Sequence, residues 1–369
     1  MSINRIHIAG YRSVRDLDLT LGSVNVLTGP NGCGKSNLYN SLVLLARAAQ
    51  GQLARAVAEE GGMPSLLWAG KEIRATRKAP KRVTLAFETE DLGYEMNFGP
   101  VPTQPGDPTM FALDPDVKEE SICPAATPRR SLIMERKAQS AWIRDESGRM
   151  KEYPLALQSS ESILAQIREP HLYPELSRLR SEVLGWRFYH HFRTDAHSPL
   201  RQPQIGVRTP VLSGDASDLA AALQSVVEMG DAEALEAAVA EGFGGGRLYI
   251  ENNRTLFSIE LAMPGLRRRL DARELSDGQL RFLCLCAVLL SPRPPALLGL
   301  NEPETSLHPA LLDPLARLIA RASKETQLWV TTHSQALAAD IERLSGVLQL
   351  PLTLDGDRGT HLDRSPSAS

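Results

Sequence analysis

Apolar and polar positions alternate over the first thirty residues, and this pattern predicts three short strands. The apolar positions are Ile6 and Ile8, then Val14, Leu17 and Leu19, then Val24, Val26 and Leu27. A helix is predicted soon afterwards over residues 37–52, where apolar residues recur at helical spacing. They are Leu38, Leu42, Leu45 and Ala49. The chain therefore begins with strands, a glycine-containing loop and a helix.

The middle of the chain mixes shorter signals with proline-containing loops. Strand-like runs occupy residues 83–88, 132–135 and 141–144. Hairpin turns are predicted at residues 145–148 and 252–253, and helices at residues 217–229 and 232–240. The polar residues 356–369 contain glycine, proline and serine, so they predict a disordered tail.

Composition narrows the class of protein without naming it. The 369 residues are 42% hydrophobic and 23% charged, which are values typical of a globular protein. The formal charge of -3 creates no general attraction to nucleic acid or anionic lipid. Cys33, Cys123, Cys284 and Cys286 match neither a zinc-ligand spacing nor a disulfide framework. The N-terminus has no apolar signal segment, and prolines interrupt the apolar residues 280–300. We expect a soluble cytoplasmic protein without membrane segments.

Residues 29–36 match the phosphate-binding loop pattern, with an apolar run before the loop and a helical pattern after it. Gly29, Gly32 and Gly34 let the backbone curl so that successive N–H groups point at a phosphate. Lys35 is expected to reach the β- and γ-phosphates, and Ser36 to ligate Mg²⁺. This loop predicts binding of a nucleoside triphosphate, with ATP and Mg²⁺ as the cofactors.

Three further elements lie near the end of the chain. The first is the run Leu275, Ser276, Asp277, Gly278 and Gln279, which opens a helix predicted over residues 280–290. The second is the pair Asn301 and Glu302, which follows an apolar strand. The third is His333, which follows another apolar strand. In isolation Ser276 would be an ordinary helix cap and His333 a structural residue, so their order with the phosphate loop carries the prediction.

These four elements, in this order, resemble the head domains of ABC-type ATPases. The opening residues 6–14, Asn37, and the run 302–309 are similar to the RecF/SMC/OLD branch, and most similar to its stand-alone predicted "AAA family" ATPases. The resemblance implies an α/β P-loop NTPase head, with a mixed sheet, helices and an antiparallel β subdomain. It implies ATPase lobes at residues 1–90 and 271–350 around an inserted α+β region at 91–270. No long coiled coil is expected, because the segment between loop and signature lacks heptads.

The resemblance also implies roles for residues of this chain. It implies that Lys35, Glu302 and His333 are catalytic: Glu302 polarises the attacking water, and His333 hydrogen-bonds the γ-phosphate. The residues implied to bind nucleotide are Arg12, Gly29, Pro30, Asn31, Gly32, Cys33, Gly34, Lys35, Ser36 and Asn37. Two heads sandwich two nucleotides in such ATPases, so the signature residues Leu275, Ser276, Asp277, Gly278 and Gln279 would act on the partner's nucleotide. Ser306 and His308 would face the other subunit.

One position departs from the family pattern. The residue before Glu302 is usually an aspartate that holds a Mg²⁺-bound water, and here it is Asn301. An amide lacks the negative charge that complements the metal, so we expect slow hydrolysis. Gln139, Gln158 and Gln166 are all candidates for the glutamine that usually links Mg²⁺ to the helical lobe, and the sequence does not choose between them.

The expected function is a slow ATPase that forms an ATP-sandwiched homodimer. It would act on double-stranded DNA, or gate an effector protein encoded nearby, in genome maintenance or phage defence. The alternative is an ATP-dependent regulatory switch with little hydrolysis and no DNA binding. Two basic clusters are the candidate DNA contacts, and the alternative is that they are solvated charged loops. They are Lys71, Arg74, Arg77, Lys78, Lys81 and Arg82, and the triplet Arg267, Arg268 and Arg269.

Overall fold

The computed structural model describes residues 2–70, 82–102, 108–125, 131–145 and 147–363. The chain divides into two compact units, each built from segments that lie far apart in the sequence. The first unit comprises residues 1–22, 29–186 and 350–369, and the second comprises residues 23–28 and 187–349. These boundaries differ from the expected succession of lobes over 1–90, 91–270 and 271–350, because strand pairing joins distant segments.

The first unit contains an antiparallel sheet. Its strands are β1 (Ile3–Tyr11), β2 (Val14–Thr20), β4 (Val83–Thr89), β5 (Leu92–Pro100), β6 (Pro115–Pro124), β7 (Met134–Lys137), β8 (Ser140–Arg144), β9 (Met150–Glu152), β17 (Leu350–Asp355) and β18 (Gly359–Leu362). Their order across the sheet is β17-β18-β2-β1-β4-β5-β6-β7-β8-β9. Alternate residues are buried, as in β4, where Val83, Leu85 and Phe87 face the core.

Helices pack against this sheet and against each other. They are α1 (Lys35–Ala49), α2 (Leu53–Glu59), α3 (Met63–Leu66), α4 (Ile163–Gln166) and α5 (Pro174–Gly185). Helix α1 packs against α2, α4, α5 and β1. The predicted apolar face of α1, Leu38, Leu42, Leu45 and Ala49, is buried. With 15 residues, α1 is the longest helix among the described residues, and these residues therefore contain no long coiled coil.

A buried ion pair fixes the segment that connects the sheet to α4. Glu120 of β6 and Arg136 of β7 lie 2.8 Å apart and neither side chain is exposed. The hydroxyls of Tyr94 and Ser162 donate to Glu120 at 2.5 and 2.7 Å, and Arg136 donates to the carbonyl of Gln158 at 2.7 Å. Burial, and then the Glu120 charge, raise the pKa of Tyr94 well above its ordinary value.

The second unit contains a parallel sheet and a smaller antiparallel one. The parallel strands are β3 (Val24–Thr28), β10 (Arg187–Tyr189), β15 (Leu297–Asn301) and β16 (Gln327–Thr331). Their order is β10-β15-β16-β3, and every residue of β3, β15 and β16 is buried. The antiparallel strands are β11 (Gln204–Ile205), β12 (Arg247–Asn253), β13 (Leu256–Ala262) and β14 (Leu270–Asp271). Continuous burial is typical of parallel strands covered on both faces.

Helices complete the core of the second unit. They are α6 (Leu219–Met229), α7 (Ala232–Gly242), α8 (Asp277–Leu289), α9 (Leu312–Ala322) and α10 (Gln335–Ser345). Every residue of α8 from Leu280 to Leu289 is buried, so this helix forms the centre of the core. Cys284 and Cys286 are fully buried on it, and burial raises the pKa of both thiols above the ordinary range.

The strand and helix predictions are confirmed for most elements, with two corrections. Residues 252–253 belong to β12, and the chain turns at Arg254 and Thr255 instead, where Arg254 has a left-handed φ of 60°. Part of the expected disordered tail 356–369 forms β18 and its turn, because this strand pairs with β17 and β2. Residues 364–369 lie outside the described residues. Across the described residues, no helix has both the length and the apolar character needed to cross a bilayer.

Candidate functional site

The phosphate loop lies in the first unit and has the backbone that its glycines permit. Gly29, Gly32 and Gly34 have φ values of 140°, 79° and 105°, which side-chain-bearing residues rarely adopt. A Cβ on Gly29 would lie 2.3 Å from the carbonyl oxygen of Leu352, and a Cβ on Gly34 would lie 2.1 Å from Oγ1 of Thr360. A Cβ on Gly32 would meet nothing within 4 Å. Two of these glycines are therefore required by close packing as well as by conformation.

The residues of this loop fit a triphosphate with Mg²⁺. The Nζ of Lys35 donates to the carbonyl oxygens of Gly29 and Pro30 at 2.7 and 3.2 Å, so its ammonium is folded back over the loop. Phosphate oxygens could take the place of these carbonyls. Helix α1 begins without a side-chain cap and without an acidic residue in its first turn, which suits an anion. Asn31, Gly32 and Ser36 are exposed, and the Ser36 hydroxyl would hold the metal.

Two residues predicted near the phosphates have other partners. Arg12, with φ of 48°, forms an ion pair with Glu60, and its guanidinium lies 5.6 Å from the ring centre of Tyr11. The Asn37 amide donates to Oγ of Ser13 at 2.7 Å. Because Glu60 compensates the charge of Arg12, a phosphate contact by this residue would require it to leave that pair.

In the second unit, the carboxyl ends of the parallel strands lie at one edge of the sheet. Asn301 at the end of β15 pairs with Thr331 at the end of β16. The main-chain N–H of Glu302 donates to Thr331 at 2.9 Å, and that of Thr332 donates to Leu27 of β3 at 3.1 Å. In the sequence, the phosphate loop begins directly after Thr28, at the end of β3. Such an edge is the usual ligand site of parallel α/β sheets.

Asn301 is held by two side chains that sequence reasoning did not assign. It is 4% exposed. Its oxygen accepts a hydrogen bond from the Thr331 hydroxyl at 2.5 Å, and its Nδ2 lies 2.6 Å from Nδ1 of His190, which follows β10. Because an amide nitrogen only donates, Nδ1 of His190 is the acceptor. An asparagine thus satisfies one donor and one acceptor at this buried position, whereas a carboxylate offers only acceptors.

Glu302 and His333, both predicted to be catalytic, are in contact. Oε1 of Glu302 lies 2.5 Å from Nε2 of His333, and both side chains are about one-third exposed. Glu302 has a left-handed φ of 49°, a strained conformation that is common at functional sites. Its carbonyl accepts from the guanidinium of Arg281 on α8 at 3.0 Å. Burial lowers the pKa of Arg281.

Glu304 fixes the main chain on either side of His333. One carboxylate oxygen accepts from the Thr332 hydroxyl at 2.6 Å and from the N–H groups of His333 and Ser334 at 2.9 and 3.2 Å. No role was predicted for Glu304. An acidic residue two positions after Glu302 was visible in the sequence, but only the fold shows that its side chain reaches the loop that carries His333.

The signature residues open α8 through a complete capping box. Ser276 Oγ accepts from the Gln279 N–H at 3.2 Å, and the Gln279 side chain accepts from the Ser276 N–H at 2.9 Å. Buried Arg201 holds this turn by donating to the Leu275 carbonyl and to the Asp277 carboxylate, both at 2.7 Å. No local sequence signal pointed to Arg201, because it lies far upstream of the motif.

The signature and the predicted subunit-facing loop share one cavity of about 700 Å³. Its lining includes Ser276, Asp277, Gly278, Gln279, Ser306 and His308, together with the apolar Phe243 and Met263. A Cβ on Gly278 would lie 2.8 Å from the carbonyl oxygen of Ser306, so glycine allows the two segments to approach. The structure therefore brings Ser306 and His308 beside the signature.

The candidate metal-linking glutamines differ in how far their side chains are engaged. The side chain of Gln166 accepts from the N–H of Gln158 at 2.7 Å and donates to the carbonyls of Gln158 and Glu161. Gln139 is exposed in the turn between β7 and β8. Among the described residues, no group of three or more His, Cys, Asp and Glu side chains forms a metal site.

Comparison with solved structures gives the fold class. The Smc head bound to the C-winged helix domain of ScpA is 14% identical with a TM-score of 0.53, and the alignment covers 98% of each chain. The Smc head with an extended coiled coil bound to the C-terminal domain of ScpA, derived from Pyrococcus furiosus, is 14% identical with a TM-score of 0.52, over 98% of this chain and 96% of that one. The fold is that of an ABC-type ATPase head of the SMC/RecF branch.

A family assignment follows from the sequence profile. The family described as "AAA domain, putative AbiEii toxin, Type IV TA system" matches residues 24–340. Because the match spans most of the chain, the protein belongs to this family. It is an ATPase of the AAA/SMC-head type. No curated protein matches the sequence.

Replacing Glu304 by alanine is expected to lower the turnover number for ATP by roughly 10–100-fold, as for other residues that orient a catalytic group. The Thr332 hydroxyl and the N–H groups of His333 and Ser334 lose their common acceptor, so His333 is no longer fixed. Phosphate release gives the turnover number, and equilibrium binding should give an ATP affinity within about twofold of the wild type. Glu325→Ala, at an exposed position of the same unit, is the control. Equal turnover in both variants would contradict the role.

Proposed function

We propose that this protein is a slow ATPase whose two copies close around two ATP molecules. The observation that carries the proposal is the open cavity that presents Ser276, Gly278, Ser306 and His308 together. These residues form a surface to which the phosphate end of a nucleotide held by a second copy could be presented. Since one chain has one phosphate loop and one signature, a symmetric pair would use each element once per nucleotide.

The proposed chemistry is attack of water on the γ-phosphorus. Glu302 accepts a proton from that water, a bond forms between the water oxygen and phosphorus, and the bond from phosphorus to the bridging β-oxygen breaks to give ADP and phosphate. The bound metal would neutralise charge on the phosphate oxygens. His333 would stabilise the charge that develops on the γ-phosphate. In the present structure Glu302 and His333 bond to each other, so each would exchange this contact for substrate.

Glu302→Gln is expected to trap the closed dimer, because an amide side chain does not accept the proton from the attacking water. With Mg-ATP the variant should sediment as a dimer, while phosphate release should fall by at least about 100-fold. Analytical ultracentrifugation with ATP, with ADP and without nucleotide measures this. The matched control, Glu302→Gln with Ser276→Arg, places a bulky cation in the signature cavity and should stay monomeric. A Glu302→Gln variant that is monomeric with ATP would count against the sandwich.

Asn301→Asp is expected to accelerate phosphate release by roughly tenfold or more, because a carboxylate supplies charge that complements Mg²⁺. The new carboxylate only accepts, so Nδ1 of His190 would have to become the donor by a change of tautomer. The double variant with His190→Gln, whose amide donates without such a change, should be at least as fast. Steady-state phosphate release at saturating Mg-ATP measures both variants, with His190→Gln alone as the control. If neither aspartate variant is faster than the wild type, Asn301 does not limit hydrolysis.

We propose that ATP-driven closure gates a partner protein, in keeping with the toxin-antitoxin description of the family. DNA is the second candidate, and the charges of the described residues favour it less. Arg268 pairs with Glu274, and Arg269 pairs with Glu251 and Glu260. Arg82 pairs with Glu119, and the other members of its cluster, Lys71, Arg74, Arg77, Lys78 and Lys81, lie outside the described residues.

ATPase rates with and without double-stranded DNA, at low and moderate salt, distinguish the two candidates. A partner-gated ATPase should show the same rate with and without DNA at both salt concentrations. Stimulation by DNA that fades as salt rises would support DNA, since phosphate contacts release counterions.

A further inference from the structure

The hairpin of β17 and β18 lies beside the phosphate loop within the first unit. Thr360 of β18 is fully buried. Its N–H donates to the carbonyl of Ser13 at 2.7 Å, which joins the hairpin to the turn between β1 and β2. Its hydroxyl donates to the carbonyl of Cys33, inside the phosphate loop, at 2.8 Å. A residue close to the end of the described chain therefore contacts the loop directly.

The hydrogen bonds around Thr360 have only one consistent direction. Oγ of Ser13 lies 2.8 Å from Oγ1 of Thr360, and either atom could donate on distance alone. Each hydroxyl has one hydrogen. Since Thr360 gives its hydrogen to Cys33, Ser13 must donate to Thr360, and Ser13 in turn accepts from the Asn37 amide at 2.7 Å. A chain of hydrogen bonds therefore runs from the Asn37 amide through the hydroxyls of Ser13 and Thr360 to the carbonyl of Cys33.

This arrangement sets the orientation of one peptide group. In a planar trans peptide the C=O and the following N–H point in opposite directions. When Thr360 holds the Cys33 carbonyl towards the hairpin, the N–H of Gly34 must point away from the hairpin. A phosphate cradle needs its N–H groups directed at the anion and its carbonyls directed away. The Thr360 hydroxyl thus favours the peptide orientation that binds phosphate.

Steric contacts add to the same restraint. The space that a Cβ of Gly34 would occupy lies 2.1 Å from Oγ1 of Thr360 and 2.8 Å from Oγ of Ser13. At the other end of the loop, the space beside Gly29 is closed by the carbonyl of Leu352 on β17. The hairpin therefore contacts the loop at both ends, and the loop glycines are matched to it.

We propose that Thr360 and Ser13 are positioning residues for the phosphate loop, and that the hairpin of β17 and β18 is part of the nucleotide site. The inference rests on the phosphate loop being the site that binds ATP. Neither residue needs to touch the nucleotide. Their role is to hold the peptide between Cys33 and Gly34 in the binding orientation before ATP arrives, which lowers the ordering cost of binding.

The test compares Thr360→Val, which keeps the shape and removes the hydroxyl, with Thr360→Ser, which keeps the hydroxyl. Valine is a good strand residue, so the hairpin should still form. Loss of one oriented hydrogen bond predicts about tenfold weaker ATP binding for Thr360→Val. Thr360→Ser should bind within about twofold of the wild type. Equilibrium binding of Mg-ATP to the full chain measures this, and amide hydrogen exchange of residues 29–36 should be faster only in the valine variant.

The controls separate this inference from the proposed function and from a purely structural role. Thr20→Val changes an exposed threonine at the end of β2, outside both the hairpin and the hydrogen-bond chain, and should leave ATP binding unchanged. Lys35→Ala should abolish ATP binding; if it does not, the phosphate loop is not the nucleotide site and the proposed function fails.

If Lys35→Ala loses binding while Thr360→Val binds as the wild type does, the positioning role alone is overturned. The same holds if Thr360→Ser restores the melting temperature without restoring ATP affinity. Should the valine variant fail to fold, Ser13→Ala takes its place. Its ATP affinity is expected to fall by about threefold, because Thr360 keeps its bond to Cys33 but loses its donor. Unchanged affinity in that variant would also overturn the role.

Discussion

The parallel register of β10, β15, β16 and β3 is the constraint on which the candidate site residues of the second unit depend. It brings the ends of these strands to one edge, so that Glu302 and His333 meet although they lie far apart in the sequence. Moving β15 by one residue would exchange the faces of Asn301 and Glu302. The register is secure because β15 and β16 are buried along their whole length, and a shift would disrupt packing on both faces.

Several residues with predicted chemistry are held by a side chain from elsewhere in their unit. Glu304 fixes the main chain of His333, and Arg201 fixes the turn that carries Ser276 and Asp277. Such contacts fix the predicted site residues in one arrangement, and an active site that is fixed before substrate binds avoids reorganisation during the reaction. Glu302, with its strained φ, is held in a similar way, because Arg281 donates to its carbonyl oxygen.

Asn301 shows that neighbouring residues can explain a departure from a motif. In the sequence, this asparagine is only a replacement of the usual aspartate by a residue without negative charge. In the structure it is a buried amide that accepts from Thr331 and donates to His190. These two partners satisfy the buried amide, whereas a carboxylate would need His190 to donate from Nδ1 in its other tautomer. The departure from the family pattern is therefore matched by the local hydrogen bonding.

The sequence alone predicted the phosphate loop, the signature and the strand-end residues, because these depend on local periodicity and on residue types at fixed spacing. It also determined the fold class through the order of these motifs. The three-dimensional fold was needed to show that Arg12 pairs with Glu60 and that residues 359–362 form a strand. It was also needed to show that His190, Arg201 and Thr360 support the motifs. Those contacts join segments far apart in the chain, and hydrophobic periodicity has no information about which distant side chains will meet.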